Sequence, residues 1–415
     1  MSRRALSMAR AFRWGRTVFG AFLLSATSAW AGDPSTADLT PDSAVALALT
    51  ANAEVRTAEA ALMSAKADRS ASLLFLNNPK AQAWATPDGS RAEMSAAQPV
   101  SLTGEGWHAR GAARSSVRSA EAALDRARRV TAAQVRVSYI DAVVAIEQAR
   151  VAQEGTELAG RLRYAVGRKL EAGEASPLDL RLTRLAEARA VTRLLEARQA
   201  EVEALRELAE LVATQVDAAD LLLDADAAAP AVSSSSSAED RSDVVAAEQA
   251  LKAARAELTR QRAAVLPPVA VGVGVQVEDG ATFIGPRVGV TVPLFDRNQR
   301  GTKGAKGDHG VAESQLAAVR ARAETEQRTG RDRVDEAERL AEVVGSDTLE
   351  EADAALVSVE KGVLSGEIDL TTAVLLQAQI LDGEAAMVSL RGLVADARID
   401  LLLALDDDAL LGGGR

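Results

Sequence analysis

The chain states its plan twice. Ala53–Asp68 (AEVRTAEAALMSAKAD) matches Ser242–Glu257 (SDVVAAEQALKAARAE) at an offset of 189 residues, with Val55, Ala58, Glu59 and Leu62 returning as Val244, Ala247, Glu248 and Leu251. Pro79 returns as Pro268 at the same offset, Pro99 as Pro293, and the turn at Gly173-Glu174 as Gly366-Glu367. Alanine-rich helices resemble one another by chance, but prolines and glycines that keep step through both halves do not. A tandem duplication of this kind must fold as two copies of one unit. The seam falls in AAAPAVSSSSSAED (227–240), a flexible linker by composition.

Each repeat has the same order. A first helix, 41–74 or 241–265, is expected to stop at a proline, whose missing N–H and ring clash end it. An extended pair follows, at 80–100 and 269–293. In the second copy, VAVGVGVQV and RVGVTV place valines on one face and mostly small or polar residues on the other, so the two faces meet different surroundings. The first copy keeps a turn at Pro-Asp-Gly but alternates poorly, and only the repeat identifies it as a hairpin. GTKGAKGDHG reads as a loop at the strand-to-helix transition. The long helices 104–171 and 310–361 would reach about 80–100 Å at 1.5 Å per residue, far beyond what a globular core needs. Small turns at Gly173 and Gly366 reverse the chain into return helices at 177–216 and 370–405, and 406–415 is expected as a disordered tail.

Composition narrows the class. With 47 % hydrophobic, 3 % aromatic and 26 % charged residues, the chain suits long helices with a narrow alanine-lined seam. It has no cysteine, which removes thiolate metal sites, disulfides and an N-terminal lipid anchor. Residues 1–31 carry five arginines and no acid, then an apolar run and Ala29-Trp30-Ala31, the pattern of a secretory signal peptide. Removing those five arginines takes the formal net charge from −11 to −16, so the exported chain is a poor partner for nucleic acid. No nucleophile with an adjacent base and no phosphate-binding loop is visible, so the chain reads as a non-enzyme without cofactor.

The hairpin strands are near the length that crosses a bilayer when tilted, roughly 9–11 residues. Four strands cannot close a barrel, and an open edge in lipid leaves backbone groups unsatisfied. Closure therefore calls for other copies, and three copies would give a barrel of about twelve strands.

The arrangement resembles the outer-membrane efflux factor (TolC-like) family over about residues 38–405. The likeness is carried by RSDVVAAEQALKAARAEL, AVLPPVAVGVGV, VGVTVPLFDRNQRG and the paired GEASPLDL and GEIDLTTA turns. It implies a mainly α chain with a small transmembrane β part: a homotrimer with a twelve-stranded barrel in outer-membrane lipid and a helical tube in the periplasm. There it would meet a periplasmic adaptor and an inner-membrane pump. PLFDRNQ looks like the branch serving heavy-metal and cation exporters. The implied divisions are a signal peptide 1–31, a first repeat 32–226, the linker 227–240, a second repeat 241–405 and the tail.

The resemblance also singles out the tips. An acid at Asp179 would help tie the closed periplasmic end. The plainer reading is an acid favoured by the helix start after Pro177. The family's best-known form carries two aspartates whose matching positions here are Thr372 and Leu375, so that ring is absent; Glu367 and Asp369, with Glu174 at the first tip, are the remaining acids. His108 and His309 lack the further ligands a metal site needs. Trp84, Trp107, Phe283 and Phe295 stand near the strand ends, as does Pro293, and read either as interface aromatics or as packing between protomers. A periplasmic adaptor or scaffold without a pore, and a secreted coiled coil, are the competing readings.

Overall fold

The computed structural model describes residues 39–412 apart from 73–77, 88–89, 102, 224–227, 233–235, 266–268, 291–294, 296 and 346–347. The segment read as a signal peptide and Pro293 lie outside the described residues. Thr40 caps the first helix, α1 (Pro41–Ala51), with its Oγ1 accepting from the Ser43 N–H at 3.2 Å. Asn52 closes α1 through its own N–H and opens α2 (Ala53–Ser72), its Oδ1 accepting from the N–H groups of Glu54 and Val55. The single helix expected at 41–74 is thus two helices, divided by a side chain that competes for backbone donors.

After strands β1 (Lys80–Ala85) and β2 (Arg91–Val100) comes α3 (Glu105–Glu171), 67 residues and about 100 Å long. Its buried residues Val117, Leu124, Val135, Tyr139, Val143, Val151 and Leu158 recur mostly at four- and seven-residue steps, while Arg150 pairs with Glu147 and Glu154 on the wet side. The return helix α4 is Pro177–Val212. The second copy supplies α5 (Ser242–Ala263), β3 (Val269–Glu278), β4 (Ala281–Val290), α6 (Gln299–Val344), α7 (Thr348–Ser365) and α8 (Leu370–Leu405). α3 is the hub, packing on α2, α4, α5 and α8.

Four further features differ from the sequence expectations. GTKGAKGDHG is helix, inside α6, rather than a loop. The long second-copy helix breaks at Gly345, whose φ of 81° takes it out of helical geometry. Residues 406–411 are not a disordered tail: Asp408–Leu411 form a 3₁₀ turn and the Leu410 side chain is fully buried. The linker is not wholly detached either, since Ala228 and Ala229 are buried in the main core.

That core sits around the middle of α3. Ala132, Val135, Tyr139 and Ile140 meet Val45 of α1, Leu208 of α4, Ile399 and Leu402 of α8, and Leu410. Arg136, 1 % exposed, explains why the segments around Asp42, Ala228 and Leu410 dock here. Its guanidinium donates to the carbonyls of Leu410 (2.9 Å), Ala228 (3.0 Å) and Ala409 (3.4 Å), and to Asp42 Oδ1 (2.5 Å). Tyr139 adds a hydroxyl that donates towards the carbonyls of Leu39 and Leu222 and accepts from the Leu222 N–H. A buried charge is costly unless it is paired and hydrogen-bonded, and three distant segments supply the acceptors.

Candidate functional site

The four strands form one antiparallel sheet in the order β1-β2-β3-β4, so the hairpins of the two repeats join edge to edge through β2 and β3. The register fixes the faces. Val269, Val271, Val273, Val275 and Val277 of β3 lie opposite Val290, Val288, Pro286, Ile284 and Thr282 of β4. On β2 the same face carries Val100, Gln98, Ala96, Met94 and Ala92, and on β1 it carries Ala81, Ala83 and Ala85. Apart from Gln98 and Thr282 this face is apolar. Ile284 is 72 %, Val288 68 % and Met94 66 % exposed in the single chain. So large an uncovered apolar surface requires a cover.

The other face holds every charged residue of the four strands: Lys80, Arg91, Glu93, Glu278 and Arg287. Arg287 pairs with Glu93, Arg91 pairs with Glu278, and the Trp84 Nε1–H donates to Glu93 Oε2 at 2.9 Å. Trp84 therefore belongs to the polar face rather than to an apolar interface belt, because the register turns it away from the valines. Phe283 shares that face. Trp107 lies in the first turn of α3, 70 % exposed, with the Arg110 guanidinium 5.5 Å from its ring centroid. Phe295, 92 % exposed, lies between β4 and α6. β1 and β4 are the sheet's two edges, each paired on one side only.

At the opposite ends of the long helices both tips are built alike. Gly173 (φ 76°) and Gly366 (φ 80°) are left-handed. In each, the glycine N–H donates three residues back and the following glutamate N–H donates five back: Gly173 to Leu170 and Glu174 to Lys169, Gly366 to Val363 and Glu367 to Gly362. These are Schellman turns, which satisfy the last helical carbonyls and need glycine in that conformation. Lys169 Nζ donates to the Val363 carbonyl at 3.0 Å and ties the two tips together.

The restarts of the helices differ. Ser176 caps α4, accepting from the Asp179 N–H (3.2 Å), while Asp179 Oδ2 accepts from the Ser176 N–H (2.7 Å). Asp179 thus closes a capping box on its own helix. At the second tip Asp369 is the cap, accepting from the N–H groups of Thr371 and Thr372. Glu174 and Glu367 are exposed. Among the described residues no group of three or more His, Asp or Glu side chains is placed to hold a metal ion, and no helix is long and apolar enough to cross a membrane.

Along the bundle, Asp396 of α8 has its carboxyl pushed up to about 7, first by burial and then by the charges of Asp141 and Asp400. Burial and the charge of Glu207 raise Asp141 as well. The sequence reading missed this pair, the Arg136 hub and the ion pairs of the sheet. A charge at the strand positions opposite the valines was the available signal for Arg287.

The sheet thus has one exposed apolar face and two open edges, and it is carried on helices far longer than a globular core needs. No protein-family model matches the chain. It is 31 % identical over 213 residues to the cobalt-zinc-cadmium resistance protein CzcC of Cupriavidus metallidurans, a match covering 48 % of this chain and 50 % of that protein. The chain thus spans about half the length of the curated relative it matches. Among solved structures it is similar to CusC, described for its transmembrane channel formation (TM-score 0.71, 16 % identity, 88 % of this chain and 92 % of that one). It is also similar to the outer-membrane protein VceC of Vibrio cholerae (TM-score 0.69, 16 % identity, 88 % and 96 %) and to the open MtrE outer-membrane channel of Neisseria gonorrhoeae (0.65, 18 %, 89 % and 92 %). The chain has the fold of these outer-membrane channels.

Proposed function

We propose that this chain is a member of the TolC-like outer-membrane efflux family and the channel component of a tripartite efflux system. In this reading it is exported by its signal peptide 1–31. Three copies close a twelve-stranded barrel in the outer membrane, and the helices form a tube in the periplasm that meets an adaptor and an inner-membrane pump. Its repeats, 32–226 and 241–405, each supply one hairpin and one helical tip. It is a passive duct, not an enzyme, and needs no cofactor; energy comes from the pump. The name of its CzcC relative supports metal cations as cargo.

One observation carries the reading. The register sorts every strand charge onto one face and leaves the other face, with both edges, uncovered. Lipid covers an apolar face at no hydrogen-bonding cost, but an edge in lipid must be paired, and sister copies supply that pairing. An adaptor or free coiled coil has no use for such a sheet. The tips are the proposed gate, with Gly173 and Gly366 as the turns that move and Lys169 as a tie between them. Asp179, Asp369 and Thr372 set how firmly each restarted helix is held, while Glu174 and Glu367 face the entrance.

Purification from outer-membrane fractions tests this. The expected result is a detergent-requiring trimer that gives discrete conductance steps in planar bilayers. A soluble monomer after export, giving no conductance, contradicts it.

A further inference from the structure

The charge of the sheet is unlike that of the chain. The whole sequence carries a net −11, yet the strands hold Lys80, Arg91 and Arg287 against Glu93 and Glu278. Both strand carboxylates are engaged by arginines from other strands. The Arg287–Glu93 pair is the unusual one, because it does not join neighbouring strands. Arg287 lies on β4 opposite Gly272, and Glu93 lies on β2 opposite Gln276, so the guanidinium crosses β3 diagonally. It passes over Gly274, where a Cβ would stand 3.8 Å from Arg287 Nη1. A long side chain at 274 would occupy that path. Trp84 holds the same carboxylate from the other flank.

Resting on the duct reading above, we propose that Arg287 and Glu93 set the ion selectivity of the barrel. Arg287, laid across Gly274, masks the Glu93 carboxylate, so the lumen offers a passing cation no exposed ring of acids to bind. In a trimer each such pair recurs on every copy, and rings of charged side chains decide selectivity in pores. A duct for cations gains from this: the ion passes the strands without being held by their carboxylates.

The test uses the full-length assembled protein in planar bilayers, with the reversal potential read across a KCl gradient at low salt, where screening is weak. R287Q unmasks the carboxylate and shifts the K⁺/Cl⁻ permeability ratio towards cations by about fivefold, the size of one unit-charge contact in water. E93Q leaves Arg287 unmatched and shifts the ratio the other way by a similar factor. The double variant R287Q/E93Q returns to the wild-type ratio. G274L displaces the guanidinium and moves the ratio in the same direction as R287Q. A merely structural pair would not give opposite signs that cancel. Conducting variants that all keep the wild-type ratio overturn the inference alone. A wild-type protein that forms no conductance overturns the duct and the inference with it.

Discussion

The two tips make the same turn with different atoms, and the difference shows what the duplication had to keep. Glycine, left-handed backbone and both Schellman hydrogen bonds recur at Gly173 and Gly366. The acid does not. In the first copy it stands at the third helical position, Asp179, closing a box with Ser176. In the second it has moved to the cap itself, Asp369, and Thr372 takes the place of Asp179. What is needed is an acceptor for the free N–H groups at the helix start, and either position supplies it. The hairpins differ in the same spirit. The second has two ten-residue strands rich in valine, whereas the first has a six-residue β1 of alanine, tryptophan and polar residues. The weaker hairpin is held by pairing to the stronger one.

The largest effect should come from breaking that joint. At Gly272 a Cβ would overlap the backbone oxygen of Ala96 across the β2–β3 seam, whereas at Gly285 it would meet open space. G272A is expected to abolish the assembled, heat-modifiable form in outer-membrane fractions, and G285A to keep it. Next, R136M removes four hydrogen bonds that tie Asp42, Ala228 and the Ala409–Leu410 turn to α3, and should cost about 3–5 kcal/mol in denaturant unfolding of the solubilised protein.

A smaller effect depends on pH. Folding raises the Asp396 carboxyl from 3.8 to about 7, so the folded chain keeps the proton longer than the unfolded one. Stability from this group is therefore intact at acid pH and falls as pH rises from about 4 to about 7. D396N should gain about 1–2 kcal/mol over wild type at pH 8, a figure discounted for partial solvent access, and no advantage at pH 4. Melting curves at the two pH values check it. Least of all, D369A should lose about 1 kcal/mol as a lost cap, and D369S/T372D, which copies the first tip into the second, should recover most of it. Melting temperatures of the two variants read the difference.

Much of the fold was legible because it rests on local rules. Period-two valines gave the second hairpin, glycines marked the turns, and α8 runs over Leu370–Leu405. The remainder depends on residues far apart in the chain. GTKGAKGDHG looks like a loop because glycine is a poor helix former, yet it continues α6, and at Gly301 the side-chain oxygens of Asn298 and Gln261 take up the space beside the backbone. The tail looks disordered because its anchor, Arg136, lies more than half the chain away. Glu93 was hidden in a strand whose alternation is blurred by alanines, and its partner comes from the other repeat. At the tips the turn glycines could be read directly, but whether an acid caps at the first or third position could not.

The account stands on sister chains closing the sheet, and the absence of native cysteine permits a direct measurement. One cysteine is placed at Ala83 in β1 and a second is scanned along β4, from Ala281 to Val290. Two strands lie between these edges, so at about 4.8 Å per strand the two cysteines are too far apart to bond within one chain. Oxidation of membranes should give covalent dimers and trimers and nothing larger at the matching register. Monomers alone across the whole scan would contradict the account.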